Sequence, residues 1–221
     1  MATTKAQRWG ILIILIVTVV GTIGSFAVMI LSTQNQVSDA AKQQKISEAY
    51  SKSYAEYQKK VDAQAATLSA QYYSEFNQYQ SRVATFNRDE IKDLKTEDLK
   101  VGDGEEITDT TKFAAYYIGW NPLGKVFDQS INGEALKAPL AVDTGLADAS
   151  LITGWKEGMK GMRINGVREI TIPSDKAYGE KGQGDAIPPN TPLKFVVMAI
   201  PVQQTIPQPT VPQELYQGAT Y

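Results

Sequence analysis

Hydrophobic and polar positions divide the chain into stretches of different period. Residues 10–32, GILIILIVTVVGTIGSFAVMILS, are predominantly apolar, follow no period and carry no charged side chain. As a helix they span about 34 Å at roughly 1.5 Å per residue, the thickness of a bilayer core. From Tyr50 the larger apolar residues recur every three or four positions: Tyr50, Tyr54, Tyr57, Val61, Ala65, Leu68, Tyr72, Phe76, Tyr79, Val83 and Phe86. The mean step is 3.6, which predicts a straight amphipathic helix rather than the 3.5 period of a left-handed coiled coil. Beyond residue 100 the pattern shortens. Lys112–Gly119, Arg168–Ile172 and Leu193–Ile200 read as strands, and Leu151–Gly158 as a short helix. The expected layout is α+β, an antiparallel sheet closed by one short helix.

Glycine and proline sharpen the divisions. All 10 prolines lie at or after Pro122, and no glycine falls between Gly24 and Gly102. Residues 25–101 therefore lack both helix breakers, and the shift in composition places a boundary near residue 100. The expected organisation is a polar cytoplasmic start at 1–9, a transmembrane signal-anchor at 10–32, a helical spacer at 33–100, a globular domain at 101–200 and a disordered Pro/Gln tail at 201–221.

A cleaved signal peptide competes with the anchor, because Ser25-Phe26-Ala27 supplies small residues at cleavage spacing. The apolar run continues through Val28-Met29-Ile30-Leu31 and favours retention. Lys5 and Arg8 precede the span, while residues 33–41 hold no Lys or Arg. That asymmetry orients the C-terminal domain outside the cytoplasm. The striped helix suits packing on the domain that follows, and its tyrosines also suit capture of clients or a homodimer through the helical segment.

Charge and composition narrow the chemistry. Lys plus Arg is 22 against 24 Asp plus Glu, a net charge of −2, which argues against a nucleic-acid binder. There is no Cys and no His. Thiol nucleophiles, disulfides, Cys/His zinc sites and imidazole triads are all excluded. Gly179–Gly184 matches no phosphate-binding loop, and Asp103, Glu105, Glu106 and Asp109 lack the spacing of a calcium loop. No cofactor and no metal are expected.

Five separated motifs carry a resemblance. Gly124-Lys125-Val126-Phe127-Asp128-Gln129-Ser130, Leu151–Met159, Ile170–Ser174, Ala177-Tyr178-Gly179 and Ile187-Pro188-Pro189-Asn190 follow one another in compatible order. Together they closely resemble the FKBP-type peptidyl-prolyl cis–trans isomerases, from about Val101 to Ile200. The resemblance implies a twisted antiparallel sheet wrapped around a short helix, with an apolar pocket between them. It implies catalytic positions at Tyr117, Phe127, Asp128, Trp155, Tyr178 and Phe195, and substrate-binding positions at Leu151, Ile152 and Ile187. Trp155 would form the floor, and the Ile152 N–H and Tyr178 hydroxyl would bond ligand carbonyls. This chain departs from the family pattern at Gln183, where a histidine is usual, at Ala186, and in a longer Ile131–Ser150 segment.

The expected function is a membrane-anchored prolyl isomerase that assists the folding of proline-containing clients outside the cytoplasm. The alternative is a non-catalytic FKBP-like scaffold or chaperone module, binding clients through the pocket or the tyrosine-striped helix.

Overall fold

The computed structural model describes residues 34–215. The expected span at 10–32 lies outside the described residues. Among these, no helix is long and apolar enough to cross a membrane. Among the described residues two α-helices, α1 (Gln34–Asn77) and α2 (Thr153–Met159), accompany eight strands. The strands are β1 (Lys95–Lys100), β2 (Phe113–Trp120), β3 (Val126–Gln129), β4 (Ile131–Asn132), β5 (Ala135–Leu136), β6 (Leu140–Val142), β7 (Val167–Ile172) and β8 (Leu193–Pro201). The expected strands at 112–119, 168–172 and 193–200 thus form within a residue of their predicted ends.

The chain forms two compact units. Among the described residues one runs from Asp62 to Thr205, and the other contains α1 as far as Val61 and the segment Ile206–Leu215. The first unit begins well before residue 100, because the sheet and its covering layer draw on residues between Asp62 and Lys100.

In that unit the strands are antiparallel in the order β1-β7-β8-β2-β3. Strand β2 organises the sheet. Along one edge its first half pairs with β6 and its second half with β3, and its other edge pairs with β8 over its whole length. Both faces of β2 are buried, so it reads as the continuous apolar run FAAYYIGW. Phe113 and Ala115 face one core together with Trp155, Ile170, Ile172, Leu193, Phe195 and Val197. Ala114, Tyr116, Ile118 and Trp120 face a second core with Leu68, Phe76, Val196 and Met198. The period-2 alternation of side chains produces this division.

The second face is covered by the C-terminal part of the stripe. Leu68 and Phe76 are buried, and Tyr72, Tyr79, Val83 and Phe86 pack around them. The α-helix ends at Asn77, and Gln78–Arg82 form a 3-10 turn that leads the chain across the sheet. There the Trp120 Nε1–H donates to the Ala84 carbonyl at 3.0 Å, and the Phe86 N–H donates to the Pro122 carbonyl at 3.0 Å. Arg82 then donates through Nε to Glu169 at 2.8 Å and pairs with Glu97 at 2.8 Å. Glu169 is buried in β7, and Lys194 Nζ at 2.9 Å supplies its second partner. Two cations offset the cost of burying that carboxylate.

Helix α2 closes the other face. An added Cβ on Gly154 would lie 2.2 Å from Ile172 Cγ2, and one on Gly158 would lie 2.6 Å from Ile170 Cγ2. The two glycines let the helix press directly on β7. Arg168, itself buried, grips Asp98 through Nε at 2.6 Å and Nη2 at 3.1 Å. Its Nη1 donates to the Gly158 and Lys160 carbonyls, both at 2.9 Å. One guanidinium therefore satisfies the C-terminal carbonyls of α2 and fastens β1 at the edge. Gly154→Ala should lower stability by about 1–3 kcal/mol despite alanine's better helix propensity, because Ile172 must be displaced. Urea denaturation with an unchanged m-value would check this, and equal midpoints would refute the close-contact account.

Tyr116 is the one buried side chain among the described residues whose polar atom has no partner. It lies under α1 with Tyr72 and Phe76 rings each 6.1 Å away. Burial, followed by the nearby Tyr72, pushes its pKa up to about 12. Tyr116→Phe should leave stability unchanged or raise it near neutral pH, since an unsatisfied hydroxyl is removed. The folded pKa lies above the unfolded value near 10, so its stabilising effect is complete below about pH 10 and is lost as pH rises toward 12. The phenylalanine variant should show a smaller alkaline loss in thermal melts between those values.

Candidate functional site

The site lies on the α2 face of the sheet. Tyr117 on β2 follows Phe113 and Ala115 at every second residue, and Phe195 on β8 stands opposite Gly119. Phe127 and Asp128 come from β3, whose register places Asp128 against Gly119. Trp155 projects from the first turn of α2.

These side chains form an edge-to-face aromatic cluster. The Trp155 and Phe195 rings are 5.4 Å apart at 88°, Tyr117 and Trp155 5.5 Å apart at 84°, and Phe127 and Phe195 5.5 Å apart at 83°. Such T-shaped pairs hold each ring's edge against its neighbour's electron-rich face. Trp155, Phe195 and Ile187 are buried and form the floor. Tyr117, Phe127, Leu151, Ile152 and Tyr178 are half-buried around them and form the rim. The structure thus brings every expected aromatic and aliphatic site residue into one cluster.

Polar groups are few and placed at the rim. The Tyr117 hydroxyl donates to Asp128 Oδ2 at 2.6 Å, and Asp128 Oδ1 accepts the Gln129 N–H at 2.8 Å. Lys137 Nζ stands 4.0 Å from Asp128 Oδ1. The Ile152 carbonyl accepts the N–H groups of Trp155 at 3.0 Å and Lys156 at 3.3 Å. Ile152 is therefore the N-cap of α2, and its own N–H precedes the helical ladder. The Tyr178 phenol is held above its ordinary pKa, mainly by burial and then by the Asp128 charge. It stays protonated, and so remains a hydrogen-bond donor, throughout the neutral range.

Several supporting residues carry no sequence signal of their own. An added Cβ on Gly119 would meet Phe195 Cε1 at 2.5 Å and Phe127 Cζ at 2.7 Å, so this glycine makes room for the ring pair. The Ser130 hydroxyl accepts the Tyr117 N–H at 2.9 Å and locks β2 to the end of β3. Asn121 accepts the N–H groups of Leu123 and Lys125 and donates to the Ala186 carbonyl at 3.0 Å, which fixes the residue before Ile187. Gly182, with φ +65°, lies so close to Ile187 that a Cβ would meet its carbonyl oxygen at 2.3 Å. The neighbouring Gln183 N–H donates to that carbonyl at 2.7 Å. Here the family's usual histidine position serves through its backbone. The longer Ile131–Ser150 segment folds as the β4–β5 hairpin and returns through β6. No group of three or more potential metal ligands occurs among the described residues.

The site is an aromatic cluster with a buried floor, a half-buried rim and a few polar groups fixed at its edge. A family model for the FKBP-type peptidyl-prolyl cis-trans isomerase matches residues 103–200. The FK506-binding protein of Neisseria meningitidis serogroup A (strain Z2491) is 37% identical over 111 residues, which cover 50% of this chain and 97% of that protein. FK506-binding protein 4 of Dictyostelium discoideum is 38% identical over 111 residues, 50% of this chain and 29% of that one. Peptidyl-prolyl cis-trans isomerase FKBP53 of Arabidopsis thaliana is 38% identical over 113 residues, 50% of this chain and 22% of that one. The chain belongs to the FKBP-type peptidyl-prolyl cis–trans isomerases, and it is an enzyme of that type.

Proposed function

We propose that this isomerase is anchored to a membrane through residues 10–32 and twists X–Pro bonds of client proteins outside the cytoplasm, in the cluster floored by Trp155. The aromatic floor and rim support the chemical part of this reading. An X–Pro bond rotates slowly because its amide has partial double-bond character, with a barrier of about 18–20 kcal/mol. The twisted transition state loses that resonance and much of its charge separation. An apolar surround therefore favours the twisted amide over the planar one, which is differential binding of the transition state.

Each group has a role in this scheme. Trp155, Phe195 and Phe127 grip the proline ring. Tyr178 and the Ile152 N–H hold the flanking carbonyls, so that rotation is confined to one bond. The Tyr117–Asp128 hydrogen bond fixes the polar side of the rim. No step moves a proton, so the lack of histidine and cysteine is harmless. Accordingly, kcat/KM for an X–Pro peptide should be flat between about pH 6 and 9, since Tyr178 titrates above that window. A bell-shaped profile there would show an acid–base step and refute the scheme.

The uncharged run at 10–32, preceded by Lys5 and Arg8, supports the anchor and its orientation. Membrane fractionation with alkaline extraction tests the first, and protease protection in sealed vesicles tests the second. The full chain should stay with the membrane, and its isomerase domain should be cut only from the side opposite the cytoplasm. Release by alkali, or cleavage from the cytoplasmic side, would reject the corresponding part. In detergent the full chain should accelerate a proline-limited refolding reaction. A folded chain that leaves that phase unchanged would reject the enzymatic role of this cluster.

A further inference from the structure

We propose that the C-terminal segment Ile206–Leu215 is an internal polyproline-type ligand of the tyrosine-striped face of α1, and that this face is a second binding site, distinct from the isomerase cluster, for proline-rich extended peptides. After β8 ends at Pro201, residues 202–212 take neither helix nor strand, and Gln213–Leu215 close a 3-10 turn. Burial in this segment nevertheless repeats. Gln203, Ile206, Pro209, Pro212 and Leu215 are half-buried, and every residue between them is exposed. A repeat of three is the period of a polyproline II helix, which Pro207, Pro209 and Pro212 predispose. One face of that helix is covered.

The same compact unit holds both Ile206–Leu215 and α1 up to Val61, the part of the helix that offers an aromatic face. There Tyr50, Tyr54, Tyr57 and Val61 are half-buried on one side of the helix. Their rings are tilted and spaced 6.2 Å (Tyr50 to Tyr54) and 5.8 Å (Tyr54 to Tyr57) apart. Aromatic rings in a row are the surface that polyproline helices dock against. At the start of the segment, Gln64 Nε2 donates to the Gln204 carbonyl at 3.0 Å. A polyproline backbone has no internal hydrogen bonds, so its carbonyls are available to such donors.

The dimensions agree. From Gln204 to Pro212, where the 3-10 turn begins, a polyproline helix advances about 25 Å at ~3.1 Å per residue. That distance equals roughly 17 residues of α-helix at ~1.5 Å. A segment of that length laid from Gln64 toward the N-terminus of α1 would reach past Val61, Tyr57, Tyr54 and Tyr50 in turn. Tethering gives it an effective concentration on the order of millimolar, enough to exclude a weakly binding peptide added in solution.

The test uses a fluorescent peptide of residues 203–215, titrated by anisotropy against the full chain in detergent. A second full chain carries Pro207→Gly, Pro209→Gly and Pro212→Gly, which frees the segment. The peptide should bind this variant at least about tenfold more tightly than the parent. Adding Tyr54→Ser and Tyr57→Ser to the variant should abolish the gain, and isomerase activity should be unchanged in all three. Equal affinity for parent and variant would overturn the proposal. So would a gain that survives the tyrosine substitutions, since the peptide would then occupy the isomerase cluster.

Discussion

Replacing Trp155 by leucine should lower kcat/KM for an X–Pro peptide by roughly 10- to 100-fold and leave the fold intact. Leucine keeps an apolar side chain between α2 and the sheet, where Trp155 is almost fully buried. It removes the ring whose edge and face meet Tyr117 and Phe195. The loss of aromatic contact area beneath the proline ring is worth about 1.5–3 kcal/mol. Because that contact is made while the amide is twisted, the loss falls on the barrier, at about 1.4 kcal/mol per tenfold in rate. Near-UV circular dichroism would establish that the variant is folded. A folded variant with the parent's rate would remove Trp155 from the catalytic scheme.

Phe76→Ala is the substitution expected to cost the most stability, about 3–5 kcal/mol. Phe76 is fully buried between α1 and the second face of the sheet, against Tyr116 and Tyr79. It is the centre of a layer to which Leu68, Val83 and Phe86 also contribute. A chain shortened to begin at Lys92 would lose that whole layer. It would expose Ala114, Tyr116, Ile118 and Trp120 on β2 together with Val196 and Met198 on β8. Such a fragment should aggregate or unfold, whereas one beginning before Asp62 should be soluble and active. Tyr54→Ala, in the other compact unit, is the matched control and should leave the isomerase domain's unfolding midpoint unchanged. Denaturant titration of Phe76→Ala with a midpoint equal to the parent's would show that the helix is not part of the domain.

Strands β2 and β8 were legible as near-continuous apolar runs buried on both faces, whereas β7, VREITI, was legible through its β-branched residues and buries Arg168 and Glu169 in ion pairs. The stripe was legible because its 3.6 period persists over eleven apolar positions from Tyr50 to Phe86. Strand β1 was not legible. Its sequence KTEDLK is exposed at five of six positions, and it joins the sheet through backbone pairing with β7 and the Arg168–Asp98 bridge. No periodicity announces an edge strand held that way. The same holds for β3, whose four residues are all half-buried.

At the site, the aromatic residues were legible only as a set of motifs in order. Each alone reads as core, and Trp155 and Phe195 are indeed buried. The supporting residues were beyond reach. Gly119 matters because two phenylalanine rings cross above it, and Asn121 because it reaches the Ala186 carbonyl sixty-five residues away. Contacts of that separation have no local signature.

By itself the sequence determined the local choices. Absent glycine and proline committed residues 34–77 to a helix, β-branched and aromatic runs committed the strands, and the absence of histidine and cysteine removed thiol and imidazole chemistry. Tertiary structure decided which face each choice would serve. One regular stripe has its lower part built into the domain core and its upper tyrosines in a separate unit with a proline-rich segment. Burial depends on what the rest of the chain brings alongside, and periodicity records only that a face exists.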